Sequence, residues 1–146
     1  MEIRNASRAI MIEDERLLLV KCMDELGIFY VFPGGGQNHG ETLEETVKRE
    51  CLEETGAIIK VGNLRYIREY IGGNHEFSSQ HKNVHQVEFF FTCHLVDQND
   101  AILADDHQVG IEWIPIKSLE ALRIYPQELT KYLLDDHSPV YLGDVN

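Results

Sequence analysis

Short apolar blocks separated by polar turns dominate the chain, and a helical spacing replaces them in one central segment. Between Ser7 and Met23 the blocks AIMI and LLLVKCM flank EDER, which predicts a hairpin whose second strand is buried on both faces. FYVF forms a further strand ending at Pro33, and three glycines follow directly. Thr42 with Glu45 three residues later has the form of a capping box, so a helix is predicted to start near Thr42 and to stop at Gly56. Short β-prone runs fill Ile58 to Ile71, interrupted at Gly62 and Asn63, and a polar loop opens at Gly72. Val87, Phe89, Phe91, Cys93 and Leu95 then alternate along a strand, with Phe90 on the other face, which predicts cover on both sides. VGIEWIPI reads as another strand, and PQELTKYLLDD, opened by Pro126, as a terminal helix. Strands on both sides of one central helix predict an α/β sandwich with a mixed sheet, and the length suits a single domain over residues 1–146.

The central helix carries an unusual pattern. With about 100° per residue and Leu43 at zero, Val47 falls at roughly 40° and Cys51 at roughly 80°, an apolar stripe. Glu54 then falls at roughly 20°, Glu50 at roughly 340° and Glu53 at roughly 280°. These carboxylates sit beside and partly within the face that should meet the core. Like charges four apart repel, and moving them toward a low-dielectric region costs more unless something positive is present. Divalent cations remove that repulsion, and hard ions such as Mg²⁺ favour carboxylate and water oxygens while leaving positions for substrate phosphates. Arg49, at roughly 240°, can fix a carboxylate through its planar fork. The preceding Pro33, Gly34, Gly35 and Gly36 suit close approach of backbone to a ligand or metal.

Composition narrows the partners. Asp and Glu total 25 against 13 Lys and Arg, a formal charge of -12, which repels nucleic acid polymers and anionic membranes. A polyanionic ligand therefore has to arrive with metal ions. No apolar run approaches the roughly 20 residues of a membrane span, and the start, MEIRNASRAIM, lacks a signal-peptide core. Three widely spaced cysteines without a CxxC pair suggest neither a disulfide framework nor a zinc ribbon, so the cytoplasm is the expected location.

The segment Gly35 to Ala57 resembles the signature of the Nudix hydrolases, GX5EX7REUXEEXGU with U a bulky aliphatic residue. Gly35 is followed by Glu41, then by Arg49, Glu50, Cys51, Leu52, Glu53, Glu54, Thr55, Gly56 and Ala57. The departures are Cys51 and Ala57, apolar but smaller than the pattern asks. FPGG before this segment, EWIPI and YPQEL also look like Nudix surroundings. The resemblance implies a Nudix-type α/β/α sandwich that hydrolyses a nucleoside diphosphate linked to another moiety, with Mg²⁺ or Mn²⁺ as cofactor. It implies Glu50, Glu53 and Glu54 as metal ligands, joined by the backbone carbonyl of Gly34 or Gly35. Arg49 is implied to orient a metal-binding glutamate, with Glu41 salt-bridged to it and Gly56 ending the helix. The mechanism the resemblance implies is attack of a metal-bound water on the diphosphate, with a carboxylate as general base. Glu50 is one candidate base, and Asp106, in the run Asp105, Asp106, His107, is another.

The loop NHEFSSQHKNVHQVE places His75, Phe77 and His85 where they can stack on a base or donate to a phosphate. Glu88, on the strand leaving it, is a candidate for reaching metal or substrate, and Tyr30 for lining the pocket. The expected partner is a small-molecule diphosphate, and a homodimer is open. Two rival readings stand beside the nucleotide hydrolase: a hydrolase of a non-nucleotide diphosphate, and a module that binds a nucleotide derivative without turnover.

Overall fold

The computed structural model describes residues 2–100, 107–135 and 137–146. Its strands are β1 (Ile3–Ile10), β2 (Ile12–Glu13), β3 (Arg16–Asp24), β4 (Gly27–Val31), β5 (Gly34–Gly36), β6 (Ala57–Ile71), β7 (His85–Gln98), β8 (Gln108–Pro115), β9 (Ile124–Tyr125) and β10 (Tyr141–Asp144). The helices are α1 (Leu43–Thr55), α2 (Ser78–His81) and α3 (Gln127–Thr130). Two mixed sheets form, one ordered β10-β6-β7-β1-β5 and the other β2-β3-β4-β9 with β8 added on β3. β1 runs parallel to β7 and antiparallel to β5, so the glycine turn is the edge of the first sheet. No described helix is long and apolar enough to cross a membrane.

Period-two alternation distributes each strand between two cores. Ile10, Leu17, Leu19, Phe90 and Ile114 enter one core with Phe32, Tyr66, Leu129 and Leu133. Their neighbours Ala9, Met11, Leu18, Phe91 and Cys93 enter a second core with Val47 and Cys51 of α1. The α/β sandwich follows from that division, because both faces of the strand layer are apolar and each must be covered.

Three local expectations need correction. β1 does not pair with β3; only Ile12 and Glu13 do so, across a tight turn at Asp14 and Glu15, both at positive φ. β1 crosses to the other sheet because β7 offers it an eight-residue parallel ladder, far more pairing than a hairpin around EDER provides. The run Ile58 to Ile71 is one strand, with register shifts around Gly62 and Asn63 in place of a break. The terminal helix is a single turn. Tyr66 Oη donates to the Tyr132 carbonyl at 2.6 Å, and Arg65 Nη2 donates to the carbonyls of Tyr132, Leu133 and Asp135. Those acceptors lie beyond the helix end, and the Tyr132 carbonyl also accepts from the Asp135 N–H.

Candidate active site

α1 begins where its sequence says it should. Thr42 Oγ1 accepts from the Glu45 N–H at 3.1 Å and Glu45 Oε1 accepts from the Thr42 N–H at 2.9 Å. Gly56 closes the helix in the left-handed conformation, φ 71°, with its N–H donating to the Leu52 carbonyl. Fully buried Val47 and Cys51 fix the rotation of the helix. The three carboxylates then fall in the order the helical angles require. Glu54 is 5% exposed, while the side chains of Glu50 and Glu53 are 19% and 50% exposed.

Arg49 organises the exposed side of this group. Its Nε and Nη2 donate to the two oxygens of Glu41 at 2.7 and 2.9 Å, a two-point fork. Nη1 donates to Glu50 Oε1 at 2.8 Å and lies 3.6 Å from Glu53 Oε2, and Nη2 also donates to the Gly36 carbonyl at 3.0 Å. Hydrogen bonds from Arg49 hold the Glu41 carboxyl down at about 2.

The glycine turn is read from its ladder. The Ala9 N–H donates to the Pro33 carbonyl and the Gln37 N–H to the Asn5 carbonyl, and the register pairs Ser7 with Gly35 between them. Hydrogen-bonded and non-bonded pairs alternate along an antiparallel ladder. Gly35 therefore turns its N–H and carbonyl to β1, while Gly34 and Gly36 turn theirs away, toward the charged side chains. The observed bonds agree: the Gly34 N–H donates to Glu54 Oε1 at 2.9 Å, and the Gly34 carbonyl accepts from Arg8 Nη1 at 3.4 Å. Gly35 supplies space, since a Cβ there would lie 2.6 Å from Glu50 Cδ.

Glu54 is the electrostatic centre. Burial pushes its carboxyl up to about 7, against the pull of Arg8 and of the Gly34 N–H. Its second oxygen accepts from Gln108 Nε2 at 2.6 Å. No three or more His, Cys, Asp or Glu side chains among the described residues converge as a ready ligand set, because Glu50 is turned onto Arg49 and Glu54 onto Gly34 and Gln108. The donor chemistry itself, carboxylate and backbone carbonyl oxygen, suits a hard divalent cation.

The remaining described candidates make their contacts with elements other than α1. Glu88 is 1% exposed and accepts from Arg8 Nε at 2.7 Å, Arg68 Nε at 2.6 Å and Gln86 Nε2 at 2.7 Å. Burial works to raise its carboxyl, yet Arg8 and Arg68 bring it down to about 2. His75 meets Asp144 Oδ1 at 2.6 Å and stacks on Tyr70, and His85 meets Glu69 Oε1 at 2.8 Å. Tyr30 Oη donates to Glu112 at 3.4 Å. Phe77 packs edge-on against Tyr125, beside Arg123, which also lies over Phe29. Asp106 lies outside the described residues, as does Asp105.

Sequence reading passed over Arg8, Arg68, Gln108 and Arg123. A signal existed for Arg68, which alternates with Tyr66 and Tyr70 on a buried face, whereas Arg8 sits among the polar residues Arg4, Asn5 and Ser7 of its strand. Arg123, whose fork holds Asp24 at 2.8 and 2.6 Å, and Gln108 carry none, since each meets its partner across a long stretch of chain.

Comparison with known proteins agrees with this geometry. The chain is 27% identical over 116 residues to a protein described as nucleoside triphosphatase NudI from Enterobacter sp. (strain 638), covering 72% of this chain and 77% of that one. It is 46% identical over 57 residues to the ADP-ribose pyrophosphatase of Methanocaldococcus jannaschii, a match of 38% of this chain and 33% of the relative. Among solved structures, one described as a UDP-X diphosphatase superposes with TM-score 0.73 at 21% identity, covering 99% of this chain and 68% of that one. A family model described as the NUDIX domain matches residues 3–134, so the chain belongs to the Nudix family and is one of its pyrophosphohydrolases.

Proposed function

We propose that the protein hydrolyses a diphosphate linkage in a nucleoside diphosphate derivative, releasing a nucleoside monophosphate and a phosphorylated second moiety, with Mg²⁺ or Mn²⁺. The observation that carries this reading is Glu54, a carboxylate buried beside Glu50 whose nearest hydrogen-bond donors are a backbone N–H and an amide. A carboxylate so desolvated, with Arg8 acting on it without a hydrogen bond and paired to Glu88, is stabilised by a further cation. Glu50, Glu53 and Glu54 would hold the ion, with the carbonyl of Gly34 favoured over that of Gly35 because the ladder occupies the latter. Bound there, the ion supplies charge neutralisation on the diphosphate and lowers the pKa of water.

The chain's own residues do the rest. Arg49, anchored by Glu41, holds Glu50 in one rotamer at the edge of the glycine turn. Glu50 takes the proton of the attacking water in this reading, with Asp106 the other candidate. Phe77, Tyr125 and Phe29, gathered around Arg123, offer flat surfaces on which a base stacks. The names of the three relatives, a nucleoside triphosphatase, an ADP-ribose pyrophosphatase and a UDP-X diphosphatase, support a nucleotide end to the substrate.

The test is product release across dinucleoside polyphosphates, ADP-ribose, nucleotide sugars, NADH, nucleoside triphosphates and non-nucleotide diphosphates, with Mg²⁺ or Mn²⁺ and with EDTA. Metal-dependent cleavage confined to nucleotide substrates is expected. Cleavage of non-nucleotide diphosphates alone would overturn the substrate class, and thermal stabilisation by a nucleotide without any cleavage would overturn turnover by this chain.

A further inference from the structure

Gln108 opens β8, and its side chain meets α1 far from it in sequence. Nε2 donates to Glu54 Oε2 at 2.6 Å. Its Oε1 is buried and, among the described residues, is the one buried side-chain nitrogen or oxygen without a hydrogen-bond partner. Glu54 dictates that orientation: a carboxylate only accepts, so the amide NH₂ faces it and the amide oxygen is left over. Native interiors seldom leave such an acceptor unpaired, and an ordered water or ion is a usual resolution.

The backbone shows that this aim is built in. The β3–β8 ladder pairs Lys21 with Gly110 and then Cys22 with Gln108, so Val109 is the extra residue of a bulge. A bulge breaks the alternation and re-aims the side chain next to it. Val109 is exposed, while Gln108 is turned onto Glu54.

We propose that Gln108 is a positioning residue of the metal site, holding Glu54 through Nε2 and accepting at Oε1 a hydrogen bond from a water ordered beside the bound divalent cation. One amide thereby fixes the carboxylate and orders the solvent at it. This inference rests on the metal reading of α1 and names a residue beyond the glutamate set.

Mn²⁺ affinity, read by electron paramagnetic resonance of free Mn²⁺ without substrate, tests it alongside the metal-free Tm. Gln108→Met keeps the length and removes both hydrogen bonds. Its Kd for Mn²⁺ should rise about 10–100-fold, the range for losing a partner that orients a ligand. Gln108→Asn, which keeps the amide on a shorter arm, should fall between wild type and Gln108→Met. The metal-free Tm should stay within about 2 °C in both, less than a 1 kcal/mol change would produce. An unchanged Kd in Gln108→Met, or a Kd loss that follows a matching fall in Tm across both variants, would overturn the positioning role. Failure of the wild type to bind Mn²⁺ would overturn the metal reading itself and this role with it.

Discussion

Glu54 and Glu88 are both buried glutamates, 5% and 1% exposed, and the chain holds them in opposite ways. Glu88 lies between two guanidinium groups and titrates at about 2, whereas Glu54, with an amide and a backbone N–H for partners, is pushed up to about 7. The cost of burying charge is met at Glu88 within the fold. At Glu54 it is left open, and this is where the proposed divalent cation would act. Burial alone does not distinguish a structural carboxylate from a functional one; the sign of the neighbouring charge does.

The largest effect that should sharpen this contrast is on stability. Glu88→Gln leaves Arg8 and Arg68 buried without their carboxylate, and a broken buried ion pair costs about 3–5 kcal/mol; urea or guanidinium denaturation should show it as a lower midpoint. The equivalent change at the other site, Glu54→Gln, should leave the metal-free fold intact or slightly more stable while lowering kcat roughly 10²–10³-fold, the size of losing one electrostatic partner at a reacting centre. Strong destabilisation by Glu54→Gln, or wild-type turnover in it, would break the comparison.

A third and smaller effect lies in the pH dependence of metal-free stability. Glu54 has its folded pKa raised from 4.5 to about 7. The folded state therefore binds more protons than the unfolded state in that interval, and stability should rise as pH falls from about 7 toward 4.5. Glu88 has its folded pKa lowered from 4.5 to about 2. Its contribution is present above 4.5 and is lost as pH falls through 2. One group changes stability by at most about 1.4 kcal/mol per pH unit. Denaturation midpoints from pH 8 to pH 4 should slope in the wild type and flatten in Glu54→Gln; an unchanged slope in that variant would assign it to another group.

The legible and illegible parts of this molecule divide by range in sequence. Helix α1, its Thr42 and Gly56 ends and the inward rotation of Glu54 rest on interactions within four residues of one another, so local spacing specified them. The double burial of β3 and β7 was likewise written in their unbroken or two-faced apolar runs. The expected hairpin around EDER forms but is short, because pairing partners are chosen by competition among strands and β7, about 80 residues from β1, takes the segment before it. The terminal helix ends after one turn, and Arg65 and Tyr66, more than 60 residues away, satisfy carbonyls of the chain that follows it.

By itself the sequence determined a helix that crowds three carboxylates beside a glycine turn, on a chain of formal charge -12. Only the tertiary structure decided which carboxylate is neutralised by arginines and which is left with an amide and a backbone N–H. That choice depends on whether two arginines or one glutamine amide arrive across the sheet, and on which carbonyl of the glycine turn the ladder leaves outward. Such contacts are set by strand register and bulges, which no local pattern of residues specifies.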